Sequence, residues 1–337
     1  MNWILRFYSP FSRLVCRIKA SPFGRKMAPP KRAPLPVISV GNLTLGGSEK
    51  TPLVVELLGF LSGLDFRPAL VTRGYKGRWE INGGILSDGR RLLGSWQEGG
   101  DEPFMIARRF PQAGIFVGKD RLSSCRKAKQ LGFDAAVIDD GFQHLRLARD
   151  LDIVLHDPRS QSALREGRAA FGRADIILWK KGGPAGDRMR IEARHPGIRI
   201  HEYSVVSKGL RLLETQERQS AGALEGKKIL AVAGIARPER FFGLLEESGM
   251  RPDIRMTFPD HHAYPPATLE KILAVARKKR IEAIITTEKD GVKFLDRLGL
   301  FARLRIYVMD IGLDLPASFF ESVRAAVAPS GRGPFQR

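Results

Sequence analysis

The chain has 337 residues, 43% hydrophobic and 27% charged, the make-up of a folded protein with room for about two domains. Its formal net charge is +20, from 56 Lys and Arg against 36 Asp and Glu, so its surface favours polyanions: nucleic acid, anionic lipid or phosphorylated substrates. The two cysteines, Cys16 and Cys125, sit in no CxxC pair and near no histidine cluster, which argues against a disulfide framework or a structural zinc site and for a reducing compartment.

The N-terminal stretch MNWILRFYSPFSRLVCRIKA has Ile4, Phe7, Phe11, Leu14, Val15 and Ile18 at helical spacing, with Arg6, Arg13, Arg17 and Lys19 largely off that stripe. It holds no apolar run of the roughly 20 residues a bilayer span needs, and its arginines break a signal-peptide core. With Trp3 and Tyr8 among its aromatics, it reads as an interfacial helix on an anionic membrane. The prolines of SPFGRKMAPPKRAPLP then predict an extended basic linker, so residues 1–33 form one unit.

From Pro36 the pattern alternates. PVISV, PALVT, AGIFV, DAAVID, LDIVLHD and ADIILW read as strands, and TPLVVELLGFL, GDEPFMIARRF and DRLSSCRKAKQLG as helices. Short apolar strands alternating with helices predict crossover units on a parallel sheet, and residues 34–185 a first doubly wound domain. A less regular stretch, 186–226, reads as a linker, with IRIHEYSVV its clearest extended segment. The pattern restarts with KKILAVAGI and continues through RPERFFGLLEESG, ATLEKILAVARKKR, EAIITT, RIYVMDI and a helix near 316–327. Residues 227–328 are thus expected as a smaller α/β domain and 329–337 as a disordered tail. The fold class is α/β: two doubly wound Rossmann-like domains behind an N-terminal amphipathic helix, with a cleft between them suited to a substrate.

Within GNLTLGGSEKTP lies a near match to the phosphate-loop pattern G-x-x-x-x-G-K-[ST]. Thr44, Leu45, Gly46, Gly47, Ser48, Glu49, Lys50 and Thr51 keep the lysine and threonine, but Thr44 and Glu49 stand at the two glycine positions. The turn follows a strand and opens a helix, where backbone N–H groups cradle anions. Lys50 would reach the β/γ-phosphates of a nucleotide and Thr51 would hold Mg²⁺. The structural alternative makes Thr51 the cap of a helix with Pro52 in its first turn. Glu49 would set a carboxylate against a triphosphate. Two like charges about 6 Å apart at an effective dielectric of about 20 repel by roughly 2–3 kcal/mol, unless the side chain turns to solvent or to a nearby arginine.

AAVIDDGFQH ends a strand in Asp139 and Asp140, at the sheet edge where open α/β folds bind ligands; one of them would be a Mg²⁺ ligand. GDEP is a weak signal by itself, with Asp101 in the position of a helix cap. Asp260, His261 and His262 in PDHHAYPP put imidazoles beside a carboxylate, a setting for proton transfer or a plain surface loop. TTEKDGVKF matches a helix cap, Thr287 with Asp290 three residues on, and reads as structural. No aromatic–basic RNA motif or DNA-reading element is present, so nucleic acid is not an expected partner.

In order, VGNLTLGGSEKTP, VTRGYKG, GDEPFMIARR, VGKDR, VIDDGFQHLRLARDLDIVLHD, LRE, AGIARPERFF, FPDHHAY and TTEKDGVKF resemble the tetraacyldisaccharide 4'-kinases of lipid A biosynthesis, from about residue 35 to 311. The resemblance implies a P-loop-type first domain and a kinase that moves the γ-phosphoryl of ATP to the 4'-hydroxyl of a tetraacyldisaccharide 1-phosphate, giving lipid IVA. It implies Asp101 as base paired with His261, Mg²⁺ on Thr51 with Asp139 or Asp140 and with Glu166 as a further candidate, and phosphate contacts from Arg73, Arg121 and Arg165. It also implies a monomer bound peripherally to the cytoplasmic face of the inner membrane. Glu49 departs from the family's glycine, and PRSQSA at 158–163 departs from its proline-alanine-glycine element before LRE. The Glu49 departure admits a second reading, a weakened relative that binds acidic glycolipid without efficient turnover.

Overall fold

The computed structural model describes residues 29–44, 49–160, 164–301 and 304–328. The expected N-terminal helix, four positions of the phosphate turn (Leu45, Gly46, Gly47 and Ser48) and the tail 329–337 lie outside the described residues.

Continuous apolar runs become strands buried on both faces, as parallel strands covered by helices must be. The order is β1 (Val37–Asn42), α1 (Lys50–Ser62), β2 (Pro68–Thr72), β3 (Gly84–Asp88), α2 (Asp101–Arg109), β4 (Gly114–Val117), α3 (Arg121–Gln130), β5 (Ala135–Asp139), β6 (Leu151–His156) and β7 (Ile176–Lys180). It continues through α4 (Ala185–Arg194), β8 (Arg199–Leu212), β9 (Arg218–Gln219), β10 (Ile229–Ala233), α5 (Pro238–Glu247), β11 (Ile254–Thr257), α6 (Pro266–Lys279), β12 (Ala283–Thr287), β13 (Arg305–Asp314) and α7 (Ala317–Val327). Short helical turns punctuate the loops.

One sheet runs through the molecule in the order β11-β10-β12-β13-β8-β7-β6-β1-β5-β2-β4-β3, with β9 on β8. Its N-terminal half is parallel from β7 to β4 and closed by antiparallel β3. The segment 186–226 differs from the irregular linker expected of it. It holds most of α4 and all of β8, whose Arg199–Tyr203 pairs parallel with β7 and whose Ser204–Leu212 pairs antiparallel with β13. A single strand therefore joins the halves through backbone hydrogen bonds.

α1 is apolar nearly all round, burying Leu53, Val54, Val55, Leu57, Leu58 and Leu61, as a helix covered on several sides requires. The sheet covers one side. The last helix, α7, covers another: Phe319, Val323, Ala326 and Val327 join the core of the N-terminal half, and Phe320 packs on Phe60 with ring centroids 4.8 Å apart. The chain thus begins and ends its packing on the first half, a return that the expected division at residue 227 does not include. The C-terminal half keeps cores of its own on the two faces of its sheet. Gly41, on β1 just before the phosphate turn, is required by close approach, since a Cβ there would lie 2.4 Å from the Cβ of Phe142.

Candidate active site

A cleft of about 1660 Å³ opens at the carboxyl ends of the strands, lined by Lys50, Asp101, Asp139, Arg121 and, from the C-terminal half, Arg240 and His261. It is roomier than the 300–1,000 Å³ typical of a single small-ligand pocket. Strand order brings its parts together, because β1 lies between β5 and β6 and the start of α1, at Lys50, meets the acidic end of β5.

Lys50 opens α1, and its ammonium donates to Asp140 Oδ1 at 2.9 Å and to Asn42 Oδ1 at 3.4 Å. Asn42 also donates from Nδ2 to Thr44 Oγ1 at 3.0 Å, so the Lys50–Asn42 contact is the one that ties the two described ends of the turn to one another. Thr51 is the second residue of the helix and not its cap; its hydroxyl donates to Glu102 Oε2 at 3.2 Å.

The neighbouring carboxylates Asp139 and Asp140 differ. Burial pushes Asp139 up to about 6, and its buried Oδ1 has no hydrogen-bond partner among the described residues. Its Oδ2 accepts from Thr72 Oγ1 at 3.3 Å. Burial also acts to raise Asp140, but Lys50 and Arg165, the latter at 2.6 Å, hold it well below the ordinary carboxylate range. The unpartnered buried oxygen of Asp139, in the cleft that Thr51 also lines, suits a hard cation such as Mg²⁺, which binds through one or two carboxylates and keeps waters or phosphate oxygens as its other ligands.

Glu166 is brought elsewhere. Both its carboxylate oxygens are held by Arg173 at 2.9 Å in a buried bidentate pair. Of the three arginines, Arg121 is buried on the cleft wall, donates to the carbonyl of Gly118 and has its affinity for protons lowered by burial. Arg165 faces Asp140, and Arg73 pairs with Glu80 at 2.7 Å while half its side chain stays exposed at the cleft.

Asp101 and His261, 160 residues apart, meet with Nδ1 3.2 Å from Oδ2. Asp101 is the first residue of α2, and Gly100 holds the capping position. Its surroundings explain its acidity: burial acts to raise it, but the His261 hydrogen bond with Lys289 and Lys293 outweighs burial and holds it at about 2. Lys289 Nζ stands 3.2 Å from His261 Nε2, so an ammonium donates there and Nδ1 carries the ring proton toward Asp101. His262 instead stacks on Phe258 and bonds Thr268, a packing role.

The stretch read as a structural cap is one, with Thr287 Oγ1 accepting from the Asp290 N–H at 3.1 Å. It also delivers Lys289 and Lys293 to the pair; Lys293 Nζ is 3.5 Å from Asp101, and Lys289 reaches Glu102 at 3.4 Å. Sequence reasoning missed both lysines, for which the only local signal is their i, i+4 spacing around a capped acidic turn.

Glu49 sits at the capping position with φ 55°, the left-handed region that favours glycine. Its side chain lines the cleft, where Oε1 accepts from Lys180 Nζ at 2.7 Å and Arg240 Nη1 at 2.8 Å. The arginine escape from phosphate repulsion is therefore taken.

The family model described as Tetraacyldisaccharide-1-P 4'-kinase matches residues 1–328. The Tetraacyldisaccharide 4'-kinase of Syntrophus aciditrophicus is 36% identical over 324 residues, covering 88% of this chain and 86% of that protein. Its namesake in Geobacter metallireducens is 37% identical over 312 residues, covering 88% and 91%. Among solved structures, LpxK from Aquifex aeolicus, crystallised in complex with ATP, superposes with a TM-score of 0.77 at 26% identity, covering 96% of this chain and 99% of that one.

Proposed function

The chain belongs to the tetraacyldisaccharide 4'-kinase family, and from that premise we propose how its residues transfer the γ-phosphoryl of ATP to the 4'-hydroxyl of a tetraacyldisaccharide 1-phosphate. The observation that carries the assignment of roles is the Asp101–His261 pair, supplied by both halves of the chain at the cleft that Lys50 also lines.

Phosphoryl transfer needs positioned groups and neutralised charge, with no covalent protein intermediate. Lys50 supports the β/γ-phosphates, and Arg121 is a buried cation beside the acidic strand end, able to take phosphate oxygens; Arg165 and Arg73 are further phosphate contacts. Asp101 orients the 4'-hydroxyl and accepts its proton as the new O–P bond forms and the bond from Pγ to the β–γ bridging oxygen breaks. ADP leaves and lipid IVA results. A carboxylate held at about 2 is a weak base. That suffices for a loose transition state, in which the proton departs late. His261, its Nδ1 proton on Asp101, fixes the carboxylate, and Lys289 fixes His261 in turn. Thr51 and Asp139 are the residues to hold Mg²⁺, which when bound would neutralise phosphate charge.

The lipid substrate and the +20 charge support work at an anionic membrane surface, peripheral on the cytoplasmic face of the inner membrane, with residues 1–20 as the anchor. Among the described residues no helix is long and apolar enough to cross a membrane. The weakened-relative reading loses its motive, because the Glu49 charge is met by Lys180 and Arg240. The test is transfer of label from γ-labelled ATP to the disaccharide 1-phosphate on anionic vesicles. Label is expected on the lipid, with weaker vesicle binding and slower transfer after deletion of residues 1–20. Binding of the lipid without any transfer would replace the kinase with the binding protein.

A further inference from the structure

Four charged side chains from distant parts of the chain meet at the end of the phosphate turn. Glu49 accepts from Lys180 Nζ at 2.7 Å and from Arg240 Nη1 at 2.8 Å, and Tyr203 donates to its other oxygen at 3.4 Å. Asp157 takes the same cations, Arg240 Nη2 at 3.4 Å and Lys180 Nζ at 3.7 Å. Two carboxylates face Lys180 and Arg240, the half-exposed Arg159 adds a third cation 3.7 Å from Asp157 at the rim, and the Glu49 side chain is only 13% exposed. Removing the Glu49 carboxylate leaves Lys180 and Arg240 short of an acceptor in a partly dry site, the costly case for ion pairs.

Placement gives the quartet its consequence. Glu49 immediately precedes Lys50 and the start of α1. Asp157 and Lys180 lie at the ends of β6 and β7 in the same half. Arg240 belongs to α5, which is anchored in the C-terminal half by Phe241, Phe242 and Leu245 packed on β10 and β12. The backbone at 49 disfavours any side chain, yet the glutamate there makes two charge-assisted hydrogen bonds. We infer that Glu49 is a positioning residue: it ties the phosphate turn to α5 through Arg240, so that the setting of Lys50 and the seating of the C-terminal half, which carries His261 and Lys289, are coupled. A second set of contacts between the halves, Asp101 with His261 and Arg109 with Glu288 at 3.1 Å, joins α2 to the same half. The tie at Glu49 adds the phosphate turn to that frame.

The kinetic arm of the test rests on the kinase reading; the distance arm does not. Spin labels on Arg126→Cys and Lys278→Cys, exposed positions on α3 and α6, report the separation of the halves in a Cys16→Ser background, with buried Cys125 left in place. Glu49→Gln and Arg240→Gln should each broaden the label–label distance. Each should lower kcat about tenfold while KM for ATP moves less than about threefold, and the double variant should be no worse than the poorer single. Arg240→Lys, which keeps a cation between the two carboxylates, should hold kcat within about threefold of wild type. Unchanged distances overturn the inference, as do independent, multiplicative losses. So does tighter ATP binding with faster transfer in Glu49→Gln, which would make Glu49 a handicap. A broadened distance in a protein that transfers no phosphate even as wild type supports the tie and fails the kinase reading.

Discussion

The strand–turn–helix units β1 into α1 and β10 into α5 both stand at the carboxyl ends of parallel strands, and they differ in where an internal counter-charge sits. In the second, the Gly234 N–H already donates to Asp290 Oδ2 at 2.8 Å inside the protein. A Cβ at Gly234 would lie 2.7 Å from the Tyr264 hydroxyl oxygen and 3.0 Å from Asp290. The turn is filled by its own carboxylate, which is fully buried. In the first, Lys50 is paired with Asp140, whose side chain is 33% exposed and faces the open cleft. An acceptor in contact with solvent yields to a triphosphate; one sealed in a core does not. On the proposed assignment, the same fold unit serves as a binding site or as a structural joint according to where its internal counter-charge sits.

The largest expected effect tests the open turn. Lys50→Ala should slow phosphate transfer about 10³-fold, since a cation on the transferring group supplies much of the charge stabilisation this chemistry needs; a loss under tenfold would show that the turn is not where the phosphates lie. Next comes the pair at the cleft. Asp101→Asn and His261→Ala should each cost about 10²-fold in kcat, and the double variant about the same as the worse single, because residues acting as a unit are not additive. Multiplicative losses would separate the two roles.

The closed turn is tested by stability. Asp290→Ala strips the buried acceptor from Gly234 and Thr287, and should lower the unfolding free energy by about 2–3 kcal/mol in urea titration while the folded protein still binds ATP. The smallest effect is a pH window. Asp101 falls from an ordinary 3.8 to about 2 on folding, so its contribution is present above 3.8 and is lost as the pH falls through about 2. Wild type should lose about 2 kcal/mol more than Asp101→Asn across that window, at about 1.4 kcal/mol per pKa unit. Parallel curves would show that Asp101 is not a buried carboxylate held by cations.

The parts of the site legible in the sequence are local ones. The glycine-rich turn, Asp139–Asp140 at a strand end and the Thr287 cap are each signalled within ten residues. The meeting of Asp101 with His261 came from family resemblance, because nothing near either residue specifies a partner 160 positions away. Lys289 and Lys293 stayed hidden inside a segment whose capping role explained it fully. Arg240 and Lys180 were invisible as partners of Glu49, since they depend on strand order. β8 shows why the halves were read as joined by a linker. Its burial is mostly partial, with no clean alternation, because each part of the strand pairs with a different neighbour. Glu166 has a local partner that its own segment does not advertise: Arg173, seven residues on, holds it in the core.

The difference between the two turns is measured most directly by calorimetric titration of ATP, with Mg²⁺ throughout, into wild type, Lys50→Ala and Asp290→Ala. One site is expected in wild type, weakened at least about 30-fold by Lys50→Ala and kept by folded Asp290→Ala. Full-strength binding by Lys50→Ala, or a second site that disappears with Asp290→Ala, would contradict the assignment of the open turn as the nucleotide site.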